Sequence, residues 1–215
     1  RTPIAEPSPT PSGYEYDDDD LGPSQGYWVD EFGTLDPLPA AGSREEKVWL
    51  TFLRVASLKF AAKVIADYTV GDNPRSDTLA YVAKYEDSPY WTLAVNLDGS
   101  DQPEVLIPTL VHEYAHLLSL GRDQMTGSSD DCETIDLYEG CLREEAWLWQ
   151  FSEIFWSDYD DAPDPENSDW DVTDPFYAEH EDDFVSDYAA TNVIEDFAES
   201  FMVYVIEDAP IGDSV

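Results

Sequence analysis

Two histidines of the chain, His112 and His116, stand one helical turn apart, and Glu113 lies between them. On a helix this spacing places both imidazoles on one face, where their ring nitrogens can share one metal ion. Glu113 then points toward the same ion, where a carboxylate can take a proton from water. This spacing of histidines and glutamate is typical of zinc peptidases.

The residues around this segment predict a helix that is buried on most sides. Apolar side chains dominate residues 105–107, 109–111 and 117–120. A histidine that is only a hydrogen-bonded core residue is the competing interpretation. However, the chain has only 3 histidines, and two of them fall at this spacing in an apolar helix, where unpaired polar groups are costly to bury. The pattern therefore favours a metal site.

The ends of this helix are less well defined by the sequence. Gly121 is expected to follow its last turn, and Asp101 or Thr109 is expected to cap its start. Pro108 in mid-helix would remove one hydrogen bond at a cost of ~3 kcal/mol. We therefore expect either a first turn near Ile107 or a kink there.

Length and composition indicate one folded domain with a tail. The chain has 215 residues, of which 42% are hydrophobic, enough for a sizeable core. Residues 1–26 are rich in Pro, Ser, Thr and Asp and predict a disordered, acidic linker. Residues 27–215 are then the folded, catalytic domain, expected to be a monomer.

The charge of the chain limits its partners. The sequence carries 10 basic and 48 acidic residues, a formal net charge of −38. Such a surface repels nucleic acid and anionic lipid, so neither is an expected partner. The sequence also lacks the apolar run of about 18 residues that membrane insertion requires. A saline habitat, bound cations, a cationic partner and simple solubility all remain open as reasons for the acidity.

The two cysteines, Cys132 and Cys141, lie close together in a loop rich in Gly, Ser and Asp. A pair so placed predicts a local disulfide in a protein that is secreted or tethered to the cell surface. The chain begins at Arg1 rather than Met, which fits a removed signal segment and a trimmed chain equally well.

Further elements are predicted from caps and periodicity. Ser43 and Glu46 form a capping box that opens a helix, and residues 142–156 and 192–206 have helical spacing. Residues 78–84 and 90–97 are rich in β-formers and predict a hairpin. Its second strand is the candidate wall of a substrate cleft, as the edge of an antiparallel sheet or, alternatively, a strand covered on both sides. The expected cleft residues are Tyr90, Trp91, Leu93 and Val95.

A catalytic zinc needs a third protein ligand. The metzincin pattern would require a glycine and a histidine at the positions of Ser119 and Arg122, so that class is excluded. His180 is interpreted as a surface residue. The remaining candidates are carboxylates in two regions. Five lie in or just after the loop that holds the cysteines: Glu133, Asp136, Glu139, Glu144 and Glu145. Two lie on the last predicted helix: Glu195 and Glu199.

Residues 188–201 resemble the segment that follows the zinc helix in the anthrax-lethal-factor-like metallopeptidases, a gluzincin group that includes Pro-Pro endopeptidases. Tyr188, Glu195 and Glu199 match the spacing of that group. Residues 78–82 and 91–97 also resemble its substrate-side hairpin. The resemblance covers about residues 78 to 206.

The resemblance implies an α+β, mostly helical, zincin-like fold with a small antiparallel sheet beside the zinc helix. It implies one Zn²⁺ held by His112, His116 and Glu195, with Glu113 as the base that activates water. Tyr188 would donate to the oxyanion, and Glu199 would orient a ligand imidazole. The implied function is a zinc endopeptidase acting on peptides or proteins.

Other interpretations of the same residues remain. Glu195 follows Asn192 by three positions and fits a capping-box partner, while Tyr188 fits a core aromatic and Glu199 a solvated charge. At the level of function, the alternatives are an inactive, zinc-stabilised binding module on the cell surface and an acidic surface protein in which the motif is accidental. Metal analysis separates the last of these from the other two.

Overall fold

A computed structural model of the chain describes residues 20–84, 88–126 and 131–207. Within these residues the fold is α+β, as expected, with six α-helices, one five-stranded sheet and one two-stranded sheet. The elements in chain order are β1 (Gln25–Val29), β2 (Leu35–Asp36), α1 (Arg44–Ala56), α2 (Leu58–Val64), β3 (Ile65–Gly71), β4 (Ala80–Lys84), β5 (Trp91–Asn96), α3 (Pro103–Ser119), β6 (Asp136–Leu137), β7 (Gly140–Cys141), α4 (Trp147–Phe155), α5 (Trp170–His180) and α6 (Val193–Ile206).

The larger sheet is mixed, which corrects the expectation of a small antiparallel sheet. Its strand order is β2-β1-β3-β5-β4. The predicted hairpin of β4 and β5 is present, but its second strand inserts beside β3 and runs parallel to it. β5 is therefore an interior strand and β4 is the edge, so the expectation that residues 90–96 form an edge was wrong.

The position of β5 explains the burial of its side chains. Leu93 and Val95 are 0% and 1% exposed, and Trp91 is 2% exposed. Together with Tyr68 of β3 and Leu110 of α3 they form the core between the sheet and the helices. Burying side chains of this size stabilises the fold by about 1.5–3 kcal/mol each.

Helix α3 is the central helix, and it begins earlier than expected. It starts at Pro103, a residue favoured in the first turn because its missing N–H has no partner there in any case. Gln102 takes the cap position without a side-chain bond, so neither Asp101 nor Thr109 caps this helix. The Thr109 hydroxyl instead donates to the Val105 carbonyl, 2.9 Å away. Helix α3 packs against α6, α1 and β4.

The caps of α1 and α6 agree with the predictions. The Ser43 hydroxyl accepts a hydrogen bond from the Glu46 N–H, and the Asn192 side chain accepts from the N–H groups of Ile194 and Glu195. Helix α4 differs, because it begins at Trp147 rather than near residue 142.

The remaining predictions concern the tail and the loops. Residues 1–19 of the predicted linker lie outside the described residues, but Leu21 is buried and Gln25 and Gly26 belong to β1. The folded body therefore includes the last part of the predicted linker. The disulfide between Cys132 and Cys141 is confirmed. In the described parts of the chain no helix is both long and apolar enough to cross a bilayer.

Candidate metal centre

Helices α3 and α6 bring the three expected metal ligands together. The Nε2 atoms of His112 and His116 are 3.0 Å apart. Oε2 of Glu195 lies 3.1 Å from the first nitrogen and 3.4 Å from the second. The imidazoles come from one helix and the carboxylate from the other, so the packing of α3 on α6 assembles the group.

These distances fit a zinc ion. Ligands ~2.0–2.1 Å from a tetrahedral zinc are separated from one another by roughly 3.3 Å. The three edges of the triangle, 3.0, 3.1 and 3.4 Å, surround that value. Two imidazoles and one carboxylate are also a ligand set that catalytic zinc uses, with one position left open. Among the described residues these three side chains could therefore hold a metal ion.

A second carboxylate fixes the tautomer of one ligand. Nδ1 of His112 lies 2.8 Å from Oε1 of Glu199. Burial opposes the ionisation of Glu199, but the bonds from His112 and Ser186 outweigh it and lower its pKa. An ionised Glu199 can only accept a hydrogen bond, so Nδ1 of His112 carries a proton. With a metal bound, Nε2 of a neutral His112 would present its lone pair to that metal. The prediction that Glu199 lies behind a ligand imidazole agrees with this geometry.

Ser186 holds Glu199 in place. The Ser186 hydroxyl donates to Oε2 of Glu199 at 2.8 Å. The oxygen of that hydroxyl also accepts a hydrogen bond from the N–H of Ala189 at 3.0 Å. Ser186 therefore links the support of His112 to the turn that carries Tyr188. The sequence analysis missed this residue, and its only local signal is a position two residues before that tyrosine.

Removing this support is expected to weaken zinc binding. We predict that Ser186→Ala lowers zinc affinity several-fold and that Glu199→Gln lowers it by about 10–100-fold, as losses behind a ligand histidine do. Competition with a fluorescent chelator measures the zinc dissociation constants of both variants. Glu153→Gln, on the exposed side of α4, is the matched control. Unchanged affinity in Glu199→Gln would show that His112 is not held through its Nδ1 in the bound state.

The metal-free site is a strongly coupled group of charges. Burial lowers the pKa of His112, but hydrogen bonds to Glu195 and Glu199 outweigh burial and raise it to about 10. Burial likewise opposes the ionisation of Glu195, and the two imidazoles outweigh it and lower the pKa of that carboxyl. A proton on His112 thus occupies the place of a cation when no metal is bound.

A zinc ion that binds these three side chains would have to displace this proton, so zinc binding is expected to depend on pH. Because the pKa of metal-free His112 is raised to about 10, the proton is present throughout the neutral range and competes with zinc. Apparent affinity should then rise roughly tenfold per pH unit between about pH 6 and pH 8, with about one proton released per zinc. Calorimetry in buffers of different ionisation enthalpy counts the protons. Affinity that is flat over this range would contradict the prediction.

Glu113 lies at the same site and is 5% exposed. Burial raises the pKa of its carboxyl, the two ligand imidazoles partly offset this, and a backbone hydrogen bond from Val82 of β4 offsets it further. The edge strand therefore contacts the carboxylate that is expected to act as a base. A raised pKa brings a carboxylate closer to the range in which it can exchange protons at neutral pH.

Tyr188 also lies beside the candidate ligands. Its ring centre is 5.9 Å from that of His112, and its hydroxyl is hydrogen-bonded to Glu195. Burial and the nearby carboxylates raise the pKa of this phenol far above its usual value. The hydroxyl therefore stays protonated and is available as a donor, while the residue as a whole is 41% exposed.

A cavity of about 370 Å³ opens beside the ligands. Of the four expected cleft residues, Trp91 lines it, whereas Leu93 and Val95 are buried in the core and cannot contact a substrate. Tyr90 is 47% exposed. Strand β5 was predicted to be either an edge or covered on both sides, and it pairs with β3 on one edge and with β4 on the other. Other lining residues are Val82, His116, Trp170, Tyr188 and Glu195.

Trp170 reaches the cavity because the acidic loop before α5 is attached to the start of α6. The Asn192 side chain donates to the Asn167 carbonyl at 2.8 Å, and the Asn167 side chain donates to the Thr191 carbonyl at 3.0 Å. From its acidic residues and prolines, the sequence predicts a solvated loop over residues 158–174, but α5 begins at Trp170. Asn167 in the loop and Asn192 at the start of α6 were the missed signal.

The third histidine does not join the metal group. His180, interpreted from sequence as a surface residue, is partly buried, and 20% of its side chain is exposed. Its ring packs 4.6 Å from that of Tyr159. Nε2 of His180 lies 3.6 Å from a carboxylate oxygen of Asp161. Asp161, Glu179 and His180 form a second group of side chains that could hold a metal ion, but its two carboxylates are exposed.

Comparisons of the chain with protein-family models, with curated proteins and with solved structures found no match in any of the three.

Proposed function

We propose that the protein is a zinc-dependent endopeptidase of the gluzincin type with a zincin-like arrangement of α3, α6 and the edge strand β4. One observation supports this above all. Two imidazole nitrogens and one carboxylate oxygen lie 3.0–3.4 Å from one another, and the buried carboxylate of Glu113 and the protonated phenol of Tyr188 lie close to them. The spacing of Tyr188, Glu195 and Glu199, which resembles the lethal-factor-like peptidases, is a second support.

In the proposed hydrolysis, the metal and Glu113 have different roles. Zinc, when bound, supplies a Lewis acid that polarises a peptide carbonyl and makes water more acidic. Glu113 takes a proton from the attacking water on its carboxylate and delivers it to the nitrogen of the departing amine. Its burial and the Val82 N–H keep that carboxylate pointed at the site.

Tyr188 and Glu199 support this proton transfer, Tyr188 as a donor to the substrate and Glu199 as the partner of a metal ligand. The Tyr188 hydroxyl moves its hydrogen bond from Glu195 to the substrate oxygen as negative charge develops there, an effect worth about 3 kcal/mol for one donor. Glu199 accepts the Nδ1 proton of His112 and so keeps Nε2 directed at the metal.

A peptide is the substrate that fits the surroundings. Strand β4 is the edge of the five-stranded sheet, and its Val82 lines the cavity as well as contacting Glu113. An extended peptide that lies along the outer edge of β4 would run past the metal with its backbone carbonyl beside Tyr188. We propose β4, rather than β5, as the cleft wall.

The direct test combines metal analysis with a peptide library. Purified protein is expected to contain one zinc per chain, to cleave peptides from a mixed library, to lose this activity with a chelator and to regain it with zinc. Absence of zinc would refute the proposal. Full zinc occupancy without cleavage would instead favour the zinc-stabilised binding module.

The proposal includes an oxidising location, either secreted or on the cell surface. The disulfide between Cys132 and Cys141 is the support for it, because such bonds persist where thiols are not kept reduced.

A further inference from the structure

The cavity beside the metal ligands has an acidic wall that the hydrolytic steps above do not use. Glu139 and Glu166 line it together with Glu195, and no lysine or arginine is among the described residues that do so. His116 and Glu195, two of the candidate metal ligands, line the same cavity. In the proposed peptidase, a substrate side chain that enters this cavity therefore belongs to a residue next to the scissile bond.

Neither of the two additional carboxylates has an ion-pair partner within the described parts of the chain. The ammonium of Lys84 is near Glu139, but it donates to the backbone carbonyl of that residue, 2.7 Å away. Burial raises the pKa of the Glu139 carboxyl and Glu166 raises it further, while Lys84 and His116 only partly offset them. A half-buried carboxylate such as Glu139 gains from a cation that enters the cavity.

Glu166 is held toward the cavity by its backbone and its neighbours. Its Oε1 accepts the N–H of Tyr138 at 2.8 Å, and its own N–H donates to Asp164 at 3.0 Å. The next residue, Asn167, carries the hydrogen bonds that attach the loop to α6. The acidic wall is therefore in place before a substrate arrives.

An exposed aromatic side chain completes the cavity. Trp170 lines it and is 48% exposed, whereas Trp91, which also lines it, is only 2% exposed. Indole faces favour the cationic groups of lysine and arginine, whose apolar stems also bury well against such rings. The charge of −38 on the whole chain concentrates cationic peptides near the protein.

We propose that the wall of Glu139 and Glu166 binds a lysine or arginine side chain of the substrate next to the scissile bond, so that the protein cleaves basic peptides. This inference rests on the peptidase function proposed above.

Paired peptides that contain arginine or citrulline at one position test it, because citrulline has the length of arginine without its charge. The wild-type protein is expected to favour arginine in kcat/KM on the order of tenfold at one position beside the cleaved bond. Glu166→Gln and Glu139→Gln should each reduce this ratio, and the double variant should bring it close to one. Glu153→Gln removes the same charge from an exposed site on α4 and should leave the ratio unchanged.

A binding measurement separates this inference from the peptidase proposal. In zinc-loaded Glu113→Gln protein, the arginine peptide should bind more tightly than the citrulline peptide, and added salt should narrow the difference. Equal binding and equal cleavage of both peptides would overturn the inference while leaving the peptidase proposal intact. Preference for arginine in binding, with no cleavage by the wild-type protein, would support the acidic wall and refute the peptidase proposal.

Discussion

Glu113→Gln protein is expected to hydrolyse peptides ~10²–10⁴-fold more slowly than the wild-type protein, which is the usual contribution of a general base. The amide has the shape of the carboxylate and can still accept the Val82 N–H. It cannot take a proton from water, however, so the loss should appear in kcat. Zinc content should stay at one per chain, because Glu113 is not among the three ligand side chains. Steady-state kinetics with metal analysis on the same samples measures both.

The control for this substitution is an acidic residue outside the site. Glu153→Gln on α4 removes an exposed carboxylate and should leave kcat unchanged. If Glu113→Gln protein retained full activity, Glu113 would not be the base. If it lost zinc as well as activity, the carboxylate would instead be part of the metal site.

Glu195→Ala is expected to abolish the stabilisation that zinc gives to the fold. An ion that binds only the folded chain stabilises it by about 4.1 kcal/mol when its free concentration is 1,000 times Kd. For a chain of this size that corresponds to a rise in Tm of about 8–16 °C. Without the carboxylate from α6, only the two imidazoles of α3 remain, and the rise should disappear. Differential scanning calorimetry with and without zinc measures the shift.

His180→Ala is the matched control, because it removes the remaining histidine. This ring packs against Tyr159 rather than the metal group, so the substitution can lower the starting Tm but should preserve the rise with zinc. A rise that survives in Glu195→Ala and vanishes in His180→Ala would place the principal ion near Asp161 and refute the proposed centre.

The residues of the site were predictable from sequence because their spacing reflects local geometry. His112 and His116 are one helical turn apart, and Asn192 caps the helix that carries Glu195 through bonds to its first N–H groups. Choosing Glu195 over the nearer acidic residues, however, required resemblance to a family. Nothing local indicates that a carboxylate so distant in sequence lies 3.1 Å from His112.

The arrangement of the strands was less predictable because hydrogen bonds between distant residues determine it. A run such as that of β5 fits an edge strand and an interior strand equally well, and only its pairing with β3 and β4 decides between them. The same limit applies to α4. Its helical spacing predicts Trp147, Ile154 and Phe155 in the core, but these residues are 51%, 68% and 56% exposed. A helix with apolar residues on all sides gives no sign of which side is buried.

The packing of α6 on α3 determines when, during synthesis and folding, the metal site is complete. The segment that carries His112 and His116 is synthesised well before the one that carries Glu195, and the disulfide loop and two helices lie between them. A partly made or unfolded chain has only an incomplete set of donors and binds the ion weakly. In the proposed peptidase, the capacity to cut proteins would therefore arise only once α6 has docked on α3, which would protect the unfinished molecule and its neighbours from digestion.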